Sequence, residues 1–192
     1  MSINNLEKNV NETSSNIFIS IGYNCDPRIV IKNKYNMTNN NGYKSCPFDL
    51  CITSFEALYN CIDTDFSNFF DLELIDGCNA DGNRNMCGKG LKNIKNAYGI
   101  VFNHEGSTHS HMFNEGRNDD EFYIRNNFEQ FKKRYLQRIQ NYRDYINNNN
   151  NITFLYNTNY DDTYNYPESS ISKFVELCNK KYVNKNITVC KV

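Results

Sequence analysis

Short apolar runs alternate in this chain with segments whose apolar residues recur at helical spacing, and this alternation constrains the fold most. The runs NIFISI, AYGIVF, NITFLYN and NITVCKV are rich in β-branched and aromatic residues, which predicts strands. Helical spacing predicts helices that begin near residues 26, 54 and 169, and a longer one over 125–146. Strands separated by helices favour a mainly parallel sheet with helices on its faces. We therefore predict an α/β fold, a three-layer sandwich with a mostly parallel sheet of about four or five strands.

The length of 192 residues suits one domain. Residues 1–15 have no apolar periodicity and predict a flexible N-terminal tail, which leaves 16–192 as a single domain. The chain has 21 Lys and Arg residues against 22 Asp and Glu residues, for a net charge of -1. No overall basic field therefore favours nucleic acid or acidic membranes as partners.

Several features bear on where the protein resides. The first residues lack the apolar core of a signal peptide, and no run of about 18 apolar residues could span a membrane. We therefore expect a soluble, intracellular, cytoplasmic protein, in which most of the eight cysteines are reduced thiols. Frequent Asn, as in INNNNNITF, is typical of an A+T-rich genome such as that of a large DNA virus or a protist. A viral protein would then act in the host cytoplasm, and the four glycosylation sequons would be chance products.

The segment IGYNCDP indicates a strand that turns into a helix at Cys25. Gly22 permits a tight turn, Asn24 tolerates an unusual backbone angle or caps the next element, and Pro27 suits the first turn of a helix. Backbone N–H groups and the positive end of a helix dipole favour a thiolate and stabilise an oxyanion. Cys25 is therefore our candidate nucleophile, with Gly22 and Asn24 shaping the site.

His104 follows the second predicted strand, as Cys25 follows the first. Because sites in parallel sheets lie at the carboxyl ends of the strands, we expect the two side chains to be neighbours, with Asp49 and Asn24 close by. An imidazole beside a thiol takes its proton, and a third polar group orients the ring. The alternatives are an inert buried cysteine and, for Asp49, a carboxylate that caps a helix or ties down a loop.

Two further groups of residues carry weaker signals. Cys78 and Cys87 with His109 and His111 could bind zinc, but the cysteines lack the tight spacing of structural zinc sites, so we expect no metal and no cofactor. Arg138 lies near the apolar side of the long helix, where it would pair with a buried carboxylate or contact an anion. Its basic neighbours predict a solvated face.

Taken in order, FISIGYNCDPR, SCPFDL, AYGIVFNHEG and FKKRYLQRIQNY resemble the family described as "putative papain-like cysteine peptidases", a domain of unknown function, over about residues 16–160. Leu50 stands where that family usually has Trp, and Gln137 stands where it has the first Arg of a pair. The resemblance implies Cys25 as nucleophile with His104, Asp49 and Glu105 at the site. The matching residues are Gly22, Asn24, Cys25, Pro47, Phe48, Asp49, Tyr98, His104, Glu105 and Arg138.

The resemblance and the predicted order of elements imply different folds. A papain-like α+β enzyme places its Cys on a central helix and its His on an antiparallel sheet. The alternating strands and helices instead favour a Rossmann-like arrangement resembling the SGNH hydrolases, whose nucleophile follows the first strand. No His follows residue 111, so the late His of those hydrolases is missing.

Two functions remain open. The first is thiol-dependent hydrolysis or acyl transfer on a peptide, isopeptide, ester or thioester. The second is a catalytically inactive interaction module that binds a protein or RNA partner through exposed Tyr and Asn side chains. The Gly-rich segment 76–90 would be a lid in the first and a contact loop in the second.

Overall fold

A computed structural model describes residues 16–76, 92–105, 122–157 and 168–192. The strands are β1 (Asn16–Ser20), β2 (Leu72–Asp76), β3 (Lys92–Asn96), β4 (Val101–Phe102), β5 (Asn151–Tyr156) and β6 (Asn186–Lys191). The helices are α1 (Asp26–Lys34), α2 (Phe55–Asp63), α3 (Arg125–Asn148) and α4 (Glu168–Lys181), with a short 3-10 turn at Asn39–Asn41.

Strands β1, β5 and β6 form a parallel sheet in that order. The apolar runs of β1 and β5 are nearly continuous because helices cover both faces of the sheet there, whereas β6 at the edge is less buried. The ring of Phe154 in β5 meets Phe174 of α4 at 5.6 Å, while the next residue, Leu155, packs in a cluster with Ile31 of α1. Since successive strand residues point to opposite faces, α1 and α4 lie on opposite sides of the sheet.

Strands β2, β3 and β4 form a separate antiparallel sheet. The prediction of a single, mostly parallel sheet is therefore corrected, although a mixed α/β architecture is confirmed. The segment KNIKN of β3 has one apolar residue, Ile94, so its pattern indicated no strand, and β2 received no strand prediction either. The predicted strand around AYGIVF contains a turn at Asn96–Gly99, where Gly99 N donates to Asn96 O, and only two residues of β4.

The predicted helices are present with small shifts. Ser54 caps α2, because its Oγ accepts a hydrogen bond from Ala57 N at 3.1 Å. Helix α4 begins at Glu168 rather than at a serine. The apolar stripe of α3 is buried as expected, and Asn126 to Phe128 have positive φ angles, so the regular right-handed helix begins after them.

Some predictions concern residues outside the described ranges. The tail 1–15, most of the 76–90 segment and the possible zinc ligands Cys78, Cys87, His109 and His111 lie there. Within the described ranges, no group of three or more His, Cys, Asp or Glu side chains could hold a metal, and the six cysteines are free thiols. Among the same residues, no helix is long and apolar enough to cross a membrane.

Candidate active site

The turn after β1 is held against the end of β5. Ile21 N donates to Leu155 O at 2.9 Å, and Asn157 N donates to Gly22 O at 2.9 Å, so backbone pairing with the β5 segment continues past the strand. These bonds fix where the chain leaves the sheet, and the next residues lead directly into α1.

Gly22 is required at this turn for two reasons. Its φ is +93°, a conformation that L side chains rarely adopt. A Cβ at this position would also lie 1.8 Å from Oγ1 of Thr53, whose hydroxyl donates to Ile21 O at 2.8 Å. The chain segment before α2 therefore packs directly on the turn.

Cys25 occupies the N-cap position of α1, between the strand and the helix. Asn24 caps the helix start, because its Oδ1 accepts from Asp26 N at 2.9 Å. The Asp26 carboxylate accepts in turn from Asn24 Nδ2 at 3.1 Å and from Asn157 Nδ2 at 2.7 Å. This network holds the first turn of α1 against the carboxyl end of β5.

Cys25 and His104 are neighbours. Sγ of Cys25 lies 2.8 Å from Nε2 of His104, and both residues are partly exposed. His104 lies two residues after β4, so it reaches Cys25 from the antiparallel sheet rather than from the sheet that contains β1. A thiol at this distance from an imidazole can transfer its proton to the ring.

Glu105 ties the turn that carries His104 to α3. Its carboxylate is buried, and Oε1 lies 3.4 Å from Nη2 of Arg138, 3.5 Å from Nε of Arg134 and 3.3 Å from the Tyr135 hydroxyl. The sequence left two partners open for Arg138, a buried carboxylate and an anion, and Glu105 is a carboxylate of the first kind. Burial alone would lower the pKa of Arg138, but Tyr135, Glu105 and Asp49 together raise it above its ordinary value. The guanidinium therefore stays charged.

Asp49 is buried among partners that fix its position. Both carboxylate oxygens accept from the Tyr43 hydroxyl, at 3.0 and 3.2 Å, and Oδ2 also accepts from Cys46 N at 3.0 Å. Nε of Arg28 lies 3.6 Å from Oδ2. Burial raises the pKa of Asp49 above its ordinary value, although Cys46 N, the two arginines Arg28 and Arg138 and the Tyr43 hydroxyl oppose that shift. These contacts join α1 to the segment that precedes α2.

An open cleft of about 540 Å³ lies beside the pair of Cys25 and His104, and His104 and Glu105 are among the residues that line it. Sequence patterns did not single out Arg28 or Lys32, and they placed Arg134 on a solvated face. No local signal could identify them, because residues from α1 and α3 meet here only through the fold. The described residues that line this cleft are Arg28, Ile29, Lys32, Thr38, Asn39, Asn40, Ser45, Leu50, His104, Glu105, Arg134 and Arg138.

Comparisons with known proteins give one family. The profile of a family described as "putative papain-like cysteine peptidase" matches residues 16–189, most of the chain. Neither curated proteins nor solved structures give a significant match.

Proposed function

The chain belongs to the family described as "putative papain-like cysteine peptidase", and from that premise we propose that it is a thiol-dependent hydrolase with Cys25 as nucleophile and His104 as general base. The observation that carries the proposal is the 2.8 Å separation between Sγ of Cys25 and Nε2 of His104. The two residues come from distant parts of the chain and meet at the edge of an open cleft.

The reaction would proceed in two stages. Nε2 of His104 takes the thiol proton, and the Cys25 thiolate attacks the carbonyl carbon of the substrate. The carbon–sulfur bond forms, and the leaving amine, alcohol or thiol departs with the proton that the imidazolium returns. In the second stage His104 removes a proton from water, which attacks the thioester and releases the acid and the Cys25 thiol.

The start of α1 supports both the thiolate and the oxyanion. A helix N-terminus favours negative charge, and Cys25 occupies the N-cap of a nine-residue helix. The side chain of Asn24 caps this helix through Asp26 N, so its role is to shape the site. The Tyr23 N–H is already used, because it donates to Asn157 O at 3.4 Å. The Asp26 N–H already donates to Asn24, and Pro27 has no N–H, so we assign oxyanion stabilisation to the positive end of the α1 dipole rather than to these individual N–H groups.

The placement of the two residues supports the papain-like alternative more than the SGNH-like one. Cys25 lies at the N-terminus of a helix, and His104 follows the antiparallel sheet. In the SGNH-like alternative, both residues would follow strands of one parallel sheet.

Labelling with iodoacetamide across a range of pH tests this function. A thiol paired with an imidazole at a helix N-terminus should react first and should remain reactive below the ordinary thiol pKa of about 8.5. Cys61 and Cys178 serve as internal controls, because burial raises the pKa of both thiols, that of Cys178 to about 12. Mass spectrometry of the digested protein gives a rate for each cysteine.

The variant His104→Ala should remove the reactivity of Cys25 at low pH. If Cys61 and Cys178 stay unreactive in the variant, the fold is intact and the loss belongs to the imidazole. A Cys25 that labels no faster than Cys190, which is the other partly exposed thiol among the described residues, would overturn the hydrolase proposal. The interaction module would then take its place.

A further inference from the structure

We propose that the substrate carries a compact anionic group, a carboxylate or a phosphate, close to the carbonyl that Cys25 attacks, and that the cleft beside His104 binds this group. The reaction at Cys25 rests on the proposed function, whereas the anion site rests on the residues of the cleft alone. The sequence indicated a possible anion contact only on the basic helix that became α3, with Arg134 and Arg138, whereas Arg28 and Lys32 of α1 join this site only through the fold.

The cleft concentrates positive charge on a chain that has a net charge of -1. Among its described lining residues, the cations are Arg28, Lys32, Arg134 and Arg138, and the only acidic residue is Glu105. Asp49 does not line the cleft, but its carboxylate is the second one in contact with these cations, through Arg28. Within the described part of the chain, this cleft therefore has four cationic side chains against two carboxylates. The carboxylates cannot neutralise all of the positive charge.

Two of the guanidinium groups are fixed in place, one on each of two helices. Arg28 of α1 is 11% exposed, stacks 4.0 Å above the Tyr43 ring and donates from Nη1 to Met37 O at 3.1 Å. Arg138 of α3 is 7% exposed and donates from Nη1 to the Tyr135 hydroxyl at 2.8 Å. The charges of both lie close to the carboxyl of Asp49. Arginines held in this way need little further ordering to bind an anion.

Several charged N–H donors of the cleft remain available to bind a ligand. The contacts of Arg28 use Nη1 and Nε, and Nη2 has no partner among the described residues. Lys32 is exposed and forms no ion pair within the described ranges. Arg134 is 30% exposed, so solvent reaches it even though it lies near Glu105 and donates to the Tyr123 hydroxyl. An anion in the cleft would therefore meet charged donors from both α1 and α3.

The test compares iodoacetate with iodoacetamide as alkylating agents. In both reactions the Cys25 thiolate displaces iodide and forms a sulfur–carbon bond, but only iodoacetate carries a carboxylate next to the reacting carbon. The ratio of the two rates at Cys25, divided by the same ratio at the partly exposed Cys190, measures the preference for an anion. We expect this normalised ratio to be about five to ten in low salt and to approach one in about 1 M salt.

Single charge removals then locate the site. Lys32→Gln and Arg134→Gln should each lower the normalised ratio by about two- to threefold. Lys34→Gln makes the same charge change on the same helix, at an exposed residue that does not line the cleft, and should leave the ratio unchanged. A ratio near one in the unaltered protein, or an equal effect of Lys32→Gln and Lys34→Gln, would overturn the inference.

This experiment separates the two proposals. Slow reaction of Cys25 with neutral iodoacetamide contradicts the proposed function, whereas fast reaction without a preference for iodoacetate contradicts only the anion site. Acetate and inorganic phosphate, added in place of chloride at constant ionic strength, then distinguish the two sources of charge. The better competitor against iodoacetate identifies the anion class, and competition from neither anion would overturn the inference.

Discussion

At the scale of single residues, Gly22 determines whether the turn before Cys25 can form. Gly22→Ala should lower the free energy of unfolding by about 2–4 kcal/mol, because the new methyl group combines an unfavourable backbone angle with overlap on Thr53. Urea denaturation followed by circular dichroism measures the change.

Gly42→Ala is the matched control for that prediction. Gly42 has a φ of +84°, close to that of Gly22, but no atom lies within 4 Å of its added Cβ. The variant should therefore lose only about 1 kcal/mol, the cost of the backbone angle. Equal losses in the two variants would show that the contact with Thr53 contributes nothing.

The sequence placed Cys25 and His104 together because each follows an apolar run, but it put both runs in one parallel sheet. His104 instead follows β4 of the antiparallel sheet, so the proximity was predicted for a reason that the fold does not bear out. The partners of Glu105 could not be predicted. They depend on how α3 packs against the turn after β4, a contact between segments about 30 residues apart that leaves no local pattern.

At the scale of elements, the pair of Glu105 and Arg138 joins the His104 turn to α3. Glu105→Gln and Arg138→Met should each destabilise the protein by about 3 kcal/mol, because each removes a close, buried partner of the other charge and leaves it only its weaker contacts, Arg134 for Glu105 and Asp49 for Arg138. The double variant should lose less than the two single losses combined, by about 1–3 kcal/mol. Thermal or urea unfolding of all four proteins gives the coupling.

A surface ion pair provides the comparison. Lys95 and Glu73 lie 2.8 Å apart but are 37% and 60% exposed. Glu73→Gln should therefore cost at most about 1 kcal/mol. If Glu105→Gln cost no more than this, the buried pair would not hold the His104 turn in place.

Helix α3 was predictable because most of its apolar side chains repeat at helical spacing and face the core, although Leu136 is exposed. Strands β2 and β3 were not, since β3 offers a single buried apolar side chain, Ile94, and its stability comes from pairing with β2 and β4. Patterns of apolar residues identify helices and strands whose own side chains form a buried apolar face. They miss strands such as β3 that are stabilised mainly by pairing with adjacent strands.

At the scale of the whole molecule, Asp49 should make stability depend on pH. Burial raises the pKa of Asp49 in the folded chain above its ordinary value of about 4. The folded chain therefore holds this proton more tightly than the unfolded chain, and the resulting stabilisation is present at low pH and is lost as pH rises through the folded-state pKa.

Asp49→Asn removes this contribution. The unfolding free energy of the original protein minus that of the variant should fall as pH rises from about 4, as urea denaturation at several pH values would measure. Glu129→Gln, on the exposed face of α3, controls for the loss of a carboxylate. Parallel pH profiles for the original protein and Asp49→Asn would contradict the raised pKa.

The most direct test of thiol catalysis is to trap its intermediate with an activated ester. Incubation with p-nitrophenyl acetate, quenching in acid and mass spectrometry of the peptides would locate the acetyl group. If Cys25 is the nucleophile and His104 the base, a single acetyl group should appear on Cys25 and should be hydrolysed over time in the original protein. It should fail to form in Cys25→Ala and, at neutral pH, in His104→Ala. Absence of acetylation at Cys25, or acetylation of Cys190 at an equal rate, would contradict it.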